Sequence, residues 1–236
     1  FTHTFAIDTQ VFGTTTLTAW DDTHNICIER TLFILPEIIL VTPNKGTVGS
    51  IVTVAGNGYR RDEVIRVEFG SNMDRTLSPL PTIVTEYGSW TTTWTVDTQS
   101  FGTTTVLATD DLAAASKLYT IMPEIISITP SKGTVGSMVT VSGNGYGSSA
   151  QIRLEFGSVT TMIFTTAEVH GSWTVSFTVD TQYYGTATVG AHDDDNQLTI
   201  RKKYTILPNI ILITPKAGTV GSQVTVKIDG KSVVFS

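Results

Sequence analysis

The chain repeats itself, and the repeat constrains the fold more than any other feature of its 236 residues. Pro36-Glu37-Ile38-Ile39 returns as Pro123-Glu124-Ile125-Ile126 and again as Pro208-Asn209-Ile210-Ile211, at intervals of 87 and 85 residues. A second proline follows each at the same distance (Pro43, Pro130, Pro215). Gly-Thr-Val-Gly-Ser then recurs at 46–50, 133–137 and 218–222, each leading into Val-Thr-Val. A further landmark, Asp-Thr-Gln, begins at Asp8, Asp97 and Asp180, and Gly-Ser-Trp stands at 88–90 and 171–173. Such self-similarity describes a tandem array of units of about 86 residues.

Each unit reads as short alternating strands. Val139 and Val141 alternate with Thr140, while Trp173, Val175, Phe177 and Val179 alternate with Thr174, Ser176 and Thr178. This period of two is that of half-buried strands, and the Gly, Pro, Asn and Asp clusters between them supply turns. Composition agrees: 42 residues are Thr and 20 are Gly, and β-branched side chains fit a pleated surface better than a helix. No stretch has helical periodicity. Six or seven strands per unit suit a two-sheet sandwich, so the fold class is all-β.

The string Pro-x-Ile-x-x-Ile-Thr-Pro-x-x-Gly-Thr-Val-Gly-Ser-x-Val-Thr-Val-x-Gly-x-Gly-Tyr, seen over 123–146, resembles the opening of IPT/TIG immunoglobulin-like domains. The resemblance implies tandem immunoglobulin-like sandwiches of the kind used in bacterial-type extracellular stalks, adhesins, receptor ectodomains and accessory regions of secreted enzymes. It implies a fold and an extracellular habit rather than an activity. DNA-binding members of the family use basic loops. This chain has a formal net charge of −6, which removes the attraction that drives phosphate-backbone binding, so nucleic acid is not an expected partner. No run of about 18 apolar residues suggests a membrane-spanning helix.

In family strand order A to G, four segments follow. Residues 1–36 carry the C-terminal half of a domain (E–G), and 37–123 and 124–208 are complete domains. Residues 209–236 carry an N-terminal half (A–C), with strand B at Val224–Val226 and strand C at Val233–Phe235. Proline at each junction, with no Gly/Ser linker, points to stiff connections. The two halves are nearly complementary. Either the chain is a window on a longer array, or the back half of one subunit is completed by the front half of the next. The latter would be a heterologous, open-ended contact made by strand addition. Its interface would be Phe1, His3, Phe5 and Ile7 from the front against Ile210, Ile211, Val224, Val226, Val233 and Phe235 from the back. The Gly-Asn-Gly-Tyr of complete units is replaced at the end by Ile228-Asp229-Gly230-Lys231, whose Asp-Gly pair signals a tight hairpin.

Candidate chemistry is sparse. The F–G turns carry Asp21-Asp22, Asp110-Asp111 and Asp193-Asp194-Asp195. Clustered carboxylates suit a hard cation, making calcium at Asp110, Asp111, Asp193, Asp194 and Asp195 a candidate, though Asp is equally a hairpin-turn residue. Asp193–Asp195 would approach the E–F turn of the preceding unit. His24 and His192 adjoin such pairs but have no counterpart in unit 37–123, which weakens a repeated metal role; His3 and His170 complete the histidines. No Gly-x-Ser-x-Gly elbow or Cys–His pairing supports nucleophilic catalysis, and the Asp pairs lie in turns too short to hold a sugar, so an enzyme is not expected.

Trp90, Trp94, Trp173 and Phe177 read as core. Trp20 falls out of the inward phase and reads as an exposed subunit contact. Cys27, the single cysteine, aligns with Ala114 and reads as a buried thiol; alone it excludes an intrachain disulfide. Outward threonine rows (Thr14, Thr16, Thr18; Thr91, Thr93, Thr95) could carry glycans, although no Asn-x-Ser/Thr sequon exists.

The function these features favour is that of a structural subunit of an extracellular or cell-surface filament or matrix. It would self-associate head to tail, with surface glycans as further candidate partners. The alternatives are a segment of a longer adhesin stalk, a carbohydrate-interacting accessory module, and a surface-layer lattice protein.

Overall fold

The structure, a computed structural model, describes residues 2–70, 82–157 and 159–229. The described residues form strands and turns with no helix. They fall into two compact units, one running to Asp97 and resuming over Gly102–Ile121, the other comprising Thr98–Phe101 and the chain from Met122 onward.

The first unit opens with the hairpin β1 (Gly13–Asp21) and β2 (Ile26–Ile34), paired from Gly13↔Ile34 to Asp21↔Ile26. A complete sandwich follows: β3 (Glu37–Thr42), β4 (Lys45–Thr47), β5 (Ile51–Asn57), β6 (Val64–Phe69), β7 (Thr82–Ile83), β8 (Trp90–Thr95), β9 (Gly102–Thr109) and β10 (Ala114–Met122). One sheet has the order β3-β5-β8 and the other β4-β10-β9-β6-β7. Inward residues of both sheets, among them Val52, Val54, Val67, Phe69, Trp90, Trp94, Val106 and Tyr119, make one core.

The second unit repeats this with β11 (Glu124–Thr129), β12 (Lys132–Thr134), β13 (Met138–Asn144), β14 (Gln151–Phe156), β15 (Val159–Thr166), β16 (Trp173–Thr178), β17 (Gly185–Asp193) and β18 (Leu198–Leu207). Its sheets are β11-β13-β16 and β12-β18-β17-β14-β15. Strand β12 runs parallel to β18, as an edge strand that has crossed between sheets must. The chain then ends its described part in a hairpin of β19 (Asn209–Thr214) and β20 (Thr225–Asp229).

Two glycines repeated in both complete domains show why the motif recurs there. A Cβ on Gly56 or Gly143 would sit 2.5–2.8 Å from the indole atoms of Trp90 or Trp173, so only a bare backbone lets the tryptophan lie flat on strand B. A Cβ on Gly46 or Gly133 would lie 2.5 Å from the hydroxyl of Tyr119 or Tyr204.

Four expectations need correction. The front segment forms strands F and G but no strand E: residues 2–12 make no strand. In complete domains strand E is held by strand B, through β5–β8 and β13–β16, and the front hairpin has no B strand to hold it. Strand B of the last segment is Thr225–Asp229 rather than Val224–Val226, and Val224 precedes it. Cys27 is exposed, because it pairs with Trp20 on the outward face of a hairpin that no further described strand flanks. Phe177 is only partly buried, unlike Trp90, Trp94 and Trp173. The expected strand C at Val233–Phe235 lies outside the described residues, as do Phe1 and Gly230.

Candidate functional site

Strand pairing fixes what each terminal hairpin lacks. A complete domain closes strand A on B, B on E, and the short strand after A (β4 or β12) on G. Among the described residues, in the front hairpin only F and G pair, and in the back hairpin only A and B. Each therefore presents one apolar face that the other half of a domain covers elsewhere in the chain.

Equivalent positions measure the difference. Ile125 and Ile128 on β11 are 1% and 8% exposed, whereas Ile210 and Ile213, their counterparts on β19, are 53% and 42% exposed. Val106 on β9 and Val189 on β17 are fully buried, whereas Leu17 on β1 is 45% exposed. Phe5, Ile7, Val224 and His3 are exposed, and Val226 is half-buried. Ile211 stands at an outward position: its counterparts Ile39 and Ile126 are exposed even in complete domains. Val233, Phe235 and Phe1 lie outside the described residues. Trp20 is 66% exposed, as its phase indicates.

Each A strand carries a β-bulge, between Ile38 and Leu40, Ile125 and Ser127, and Ile210 and Leu212. A bulge leaves a residue outside the ladder and turns its backbone groups away from the partner strand. In both complete domains a lysine on strand G takes up those carbonyls. Lys117 Nζ donates to the oxygens of Ile38 at 3.0 Å and Ile39 at 3.3 Å. Lys202 Nζ donates to those of Ile125 at 2.8 Å and Ile126 at 2.9 Å. This latch joins the two sheets at their open edge. It was not visible in the sequence, although a cation recurring on strand G opposite an apolar residue of strand F is its trace.

The F–G turns prove to be backbone clamps. Asp110 is buried; its Oδ2 accepts from Arg60 N at 3.0 Å and Nε at 3.3 Å, and its Oδ1 from Leu112 N at 3.2 Å and Ala113 N at 2.7 Å. Burial pushes this carboxyl up, but the amides of Arg60, Ala113 and Leu112 and the Arg60 charge together hold it below the usual carboxylate range. Asp193, fully buried, accepts from Gly147 N at 2.8 Å, Asn196 Nδ2 at 2.9 Å and Asn196 N at 3.1 Å. Asp194 and Glu155 flank Arg153, whose hydrogen bonds lower both carboxyls. Asp111 and Asp195 are exposed. Asp21 Oδ2, at the front, meets His24 Nδ1 at 2.9 Å, and that bond lowers its carboxyl. His192 lies between Thr199 and Glu155, at 3.0 Å from each. Among the described residues no group of three or more His, Cys, Asp or Glu side chains is arranged to hold a metal ion.

In each unit an E–F-type turn also meets the B–C loop. Phe12 N donates to Tyr59 O at 3.2 Å in the first, and Phe101 N to Tyr146 O at 2.9 Å in the second. Gly88 and Gly171 admit these turns, since a Cβ there would approach Gln10 O or Ser100 Cα within 3 Å. A cavity of about 390 Å³ in the second domain, lined by Phe156, Ile163, Phe177, Val179 and Thr181 among others, lies where Phe177 replaces the Trp94 of the first.

The family model of the IPT/TIG domain matches residues 123–206. No curated protein matches the chain. Among solved structures, the D0-D1 domain of intimin is 13% identical, with a TM-score of 0.31, over 73% of this chain and 97% of that one. A tetra-tandem repeat in the extending region of a large adhesion protein is 14% identical, with a TM-score of 0.35, over 86% and 61%. SGBP-B from a complex xyloglucan utilization locus in Bacteroides uniformis is 18% identical, with a TM-score of 0.29, over 77% and 52%.

Proposed function

We propose that this chain, which carries an IPT/TIG domain over residues 123–206 and repeats its strand topology in the domain before it, is a structural module of an extracellular or cell-surface array. Its terminal hairpins are the functional site. The face of β19–β20 is completed by β1–β2 and residues 2–7 of a second copy, giving head-to-tail association. The observation that supports this most directly is the contrast between Ile210, Ile213 and Leu17, exposed, and their buried counterparts Ile125, Ile128 and Val106. Apolar surface gains about 25 cal/mol per Å² when covered, so two such faces attract whatever completes them. No step of this function calls for catalysis, a cofactor or nucleic acid.

The complete domains supply the register. Val139 lies opposite Phe177, Val141 opposite Val175 and Gly143 opposite Trp173. Transposed, Val224 faces Phe5 and Val226 faces His3.

Disulfide trapping tests the reading. Directly opposed antiparallel residues lie about 4.5–5.5 Å apart at Cα, within disulfide reach. In a Cys27→Ser background, Phe5→Cys with Val224→Cys should give, on oxidation, a ladder in multiples of the 25.5 kDa chain that reductant collapses. A product confined to monomer, or one no different from the single-cysteine variants, sinks head-to-tail complementation. It would leave the hairpin faces to be covered by neighbouring modules of a longer array.

A further inference from the structure

In both complete domains the strand-G cation occupies one defined place. Lys117 lies opposite Val106 in the F–G ladder, and Lys202 lies opposite Val189. From there each reaches across the open edge of the sandwich to two successive carbonyls of the strand-A bulge. The front hairpin has the same ladder, and the residue opposite Leu17 is Arg30. The back hairpin has the same bulge, with Ile210 and Ile211 at the positions whose carbonyls the lysines hold. Arg30 is exposed and donates to the carbonyl of its own neighbour, Glu29, at 2.8 Å. Cation and bulge thus each occur once more among the described residues, on separate hairpins.

We infer that Arg30 of one copy is the latch for the Ile210 and Ile211 carbonyls of another. The inference rests on the complementation reading above and adds to it the group that sets orientation and register. A guanidinium presents five donors in a planar fork, so it can serve two adjacent carbonyls as an ammonium does. Because the bulge interrupts β19 at a single point, a shift of strand A by one residue would carry those carbonyls away from the cation. The wrong register would then lose a charge-assisted contact as well as inverting the apolar face. Strand augmentation by an unrelated edge would not meet this requirement, so the latch would favour a second copy of this chain.

The test compares Arg30→Lys and Arg30→Met in the full chain, with the half-assembly concentration read by sedimentation velocity. A second set of the same variants also carries the disulfide trap, Phe5→Cys with Val224→Cys in the Cys27→Ser background. Arg30 is exposed, and an unchanged melting curve of the monomer confirms that each variant folds. Arg30→Lys should assemble within about twofold of the parent, whereas Arg30→Met should need roughly tenfold more protein, as expected for a hydrogen bond to a charged group. Assembly of Arg30→Met at the parent's concentration, with the trap still closing, overturns the latch and leaves complementation standing. Failure of the trap in the Arg30 parent overturns both.

Discussion

The domain at 124–208 and the hairpin at 209–229 begin with nearly the same sequence and end in different physical states. Both follow a proline with x-Ile-Ile, reach a second proline four residues after that run, make the Gly-Thr-Val-Gly-Ser turn and enter Val-Thr-Val. Both pair A with B through the same bulge. Yet Val139 and Val141 are fully buried while Val224 is exposed and Val226 half-buried. Local sequence is enough to make the strands, the turn and the bulge. Burial needs the other half of the sandwich, which residues 151–207 supply to one and no described residue supplies to the other. The front hairpin makes the reciprocal point, since F and G pair along their whole length without a partner sheet while strand E does not form.

The sharpest way to break this comparison is to place the same charge at the same position in each region. Val141→Asp buries a carboxylate with no partner in the second core and should remove about 4 kcal/mol or more, enough to abolish that domain's melting transition. Val226→Asp should leave both domain transitions within about 1 °C of the parent and prevent association. Differential scanning calorimetry and sedimentation on the two variants read these effects side by side. A large loss of domain stability in Val226→Asp would mean that the hairpin face is already covered within the chain.

The aspartate at the start of each F–G turn gives an intermediate effect. Asp110→Ala leaves the amides of Arg60, Leu112 and Ala113 without their acceptor and should cost the first domain about 2–4 kcal/mol. Asp21→Ala, at the equivalent exposed position, should change the melting of the chain little. The pH dependence has a definite sign. The folded-state pKa of Asp110 lies below its ordinary value of 3.8, so its stabilisation is fully present above that pH. It is lost as the pH falls from there through the depressed value. Melting of the parent between pH 5 and pH 2 should therefore drop more steeply than that of Asp110→Ala. Parallel curves would assign the acid loss elsewhere.

Much of this was legible in the sequence. Period-two alternation and the repeated turn signals carried the all-β class and the two-sheet domains, because both depend on patterns local to a strand. The F–G aspartates were legible as turn residues; what could not be read was that Asp110 and Asp193 also tie down the B–C loop, through Arg60 N and Gly147 N some fifty residues away. The lysine latch was hidden for the same reason, since it depends on which carbonyls a bulge exposes. The exposure of Cys27 escapes an alignment to Ala114 because a small residue is no mark of burial, and Ala114 itself faces outward. Strand E at the front failed because alternation shows which face a strand would present, not whether it has a neighbour.

The smallest effect sharpens the comparison between the two complete domains. Trp94 is buried and packs at 5.5 Å from Phe69, whereas Phe177, at the same place, is half-buried beside the 390 Å³ cavity and 5.2 Å from Phe156. The cavity is open to solvent, so filling it recovers contact and apolar burial without releasing trapped strain. Phe177→Trp should raise the second domain's stability by about 1 kcal/mol, the gain expected when added apolar area covers a gap already large enough for it. The indole must lie over Phe156 and Ile163 as Trp94 lies over Phe69. A melting temperature lowered by the substitution would show that the backbone around β16 has closed too far to admit the larger ring, and that the two cores differ in shape as well as in one side chain.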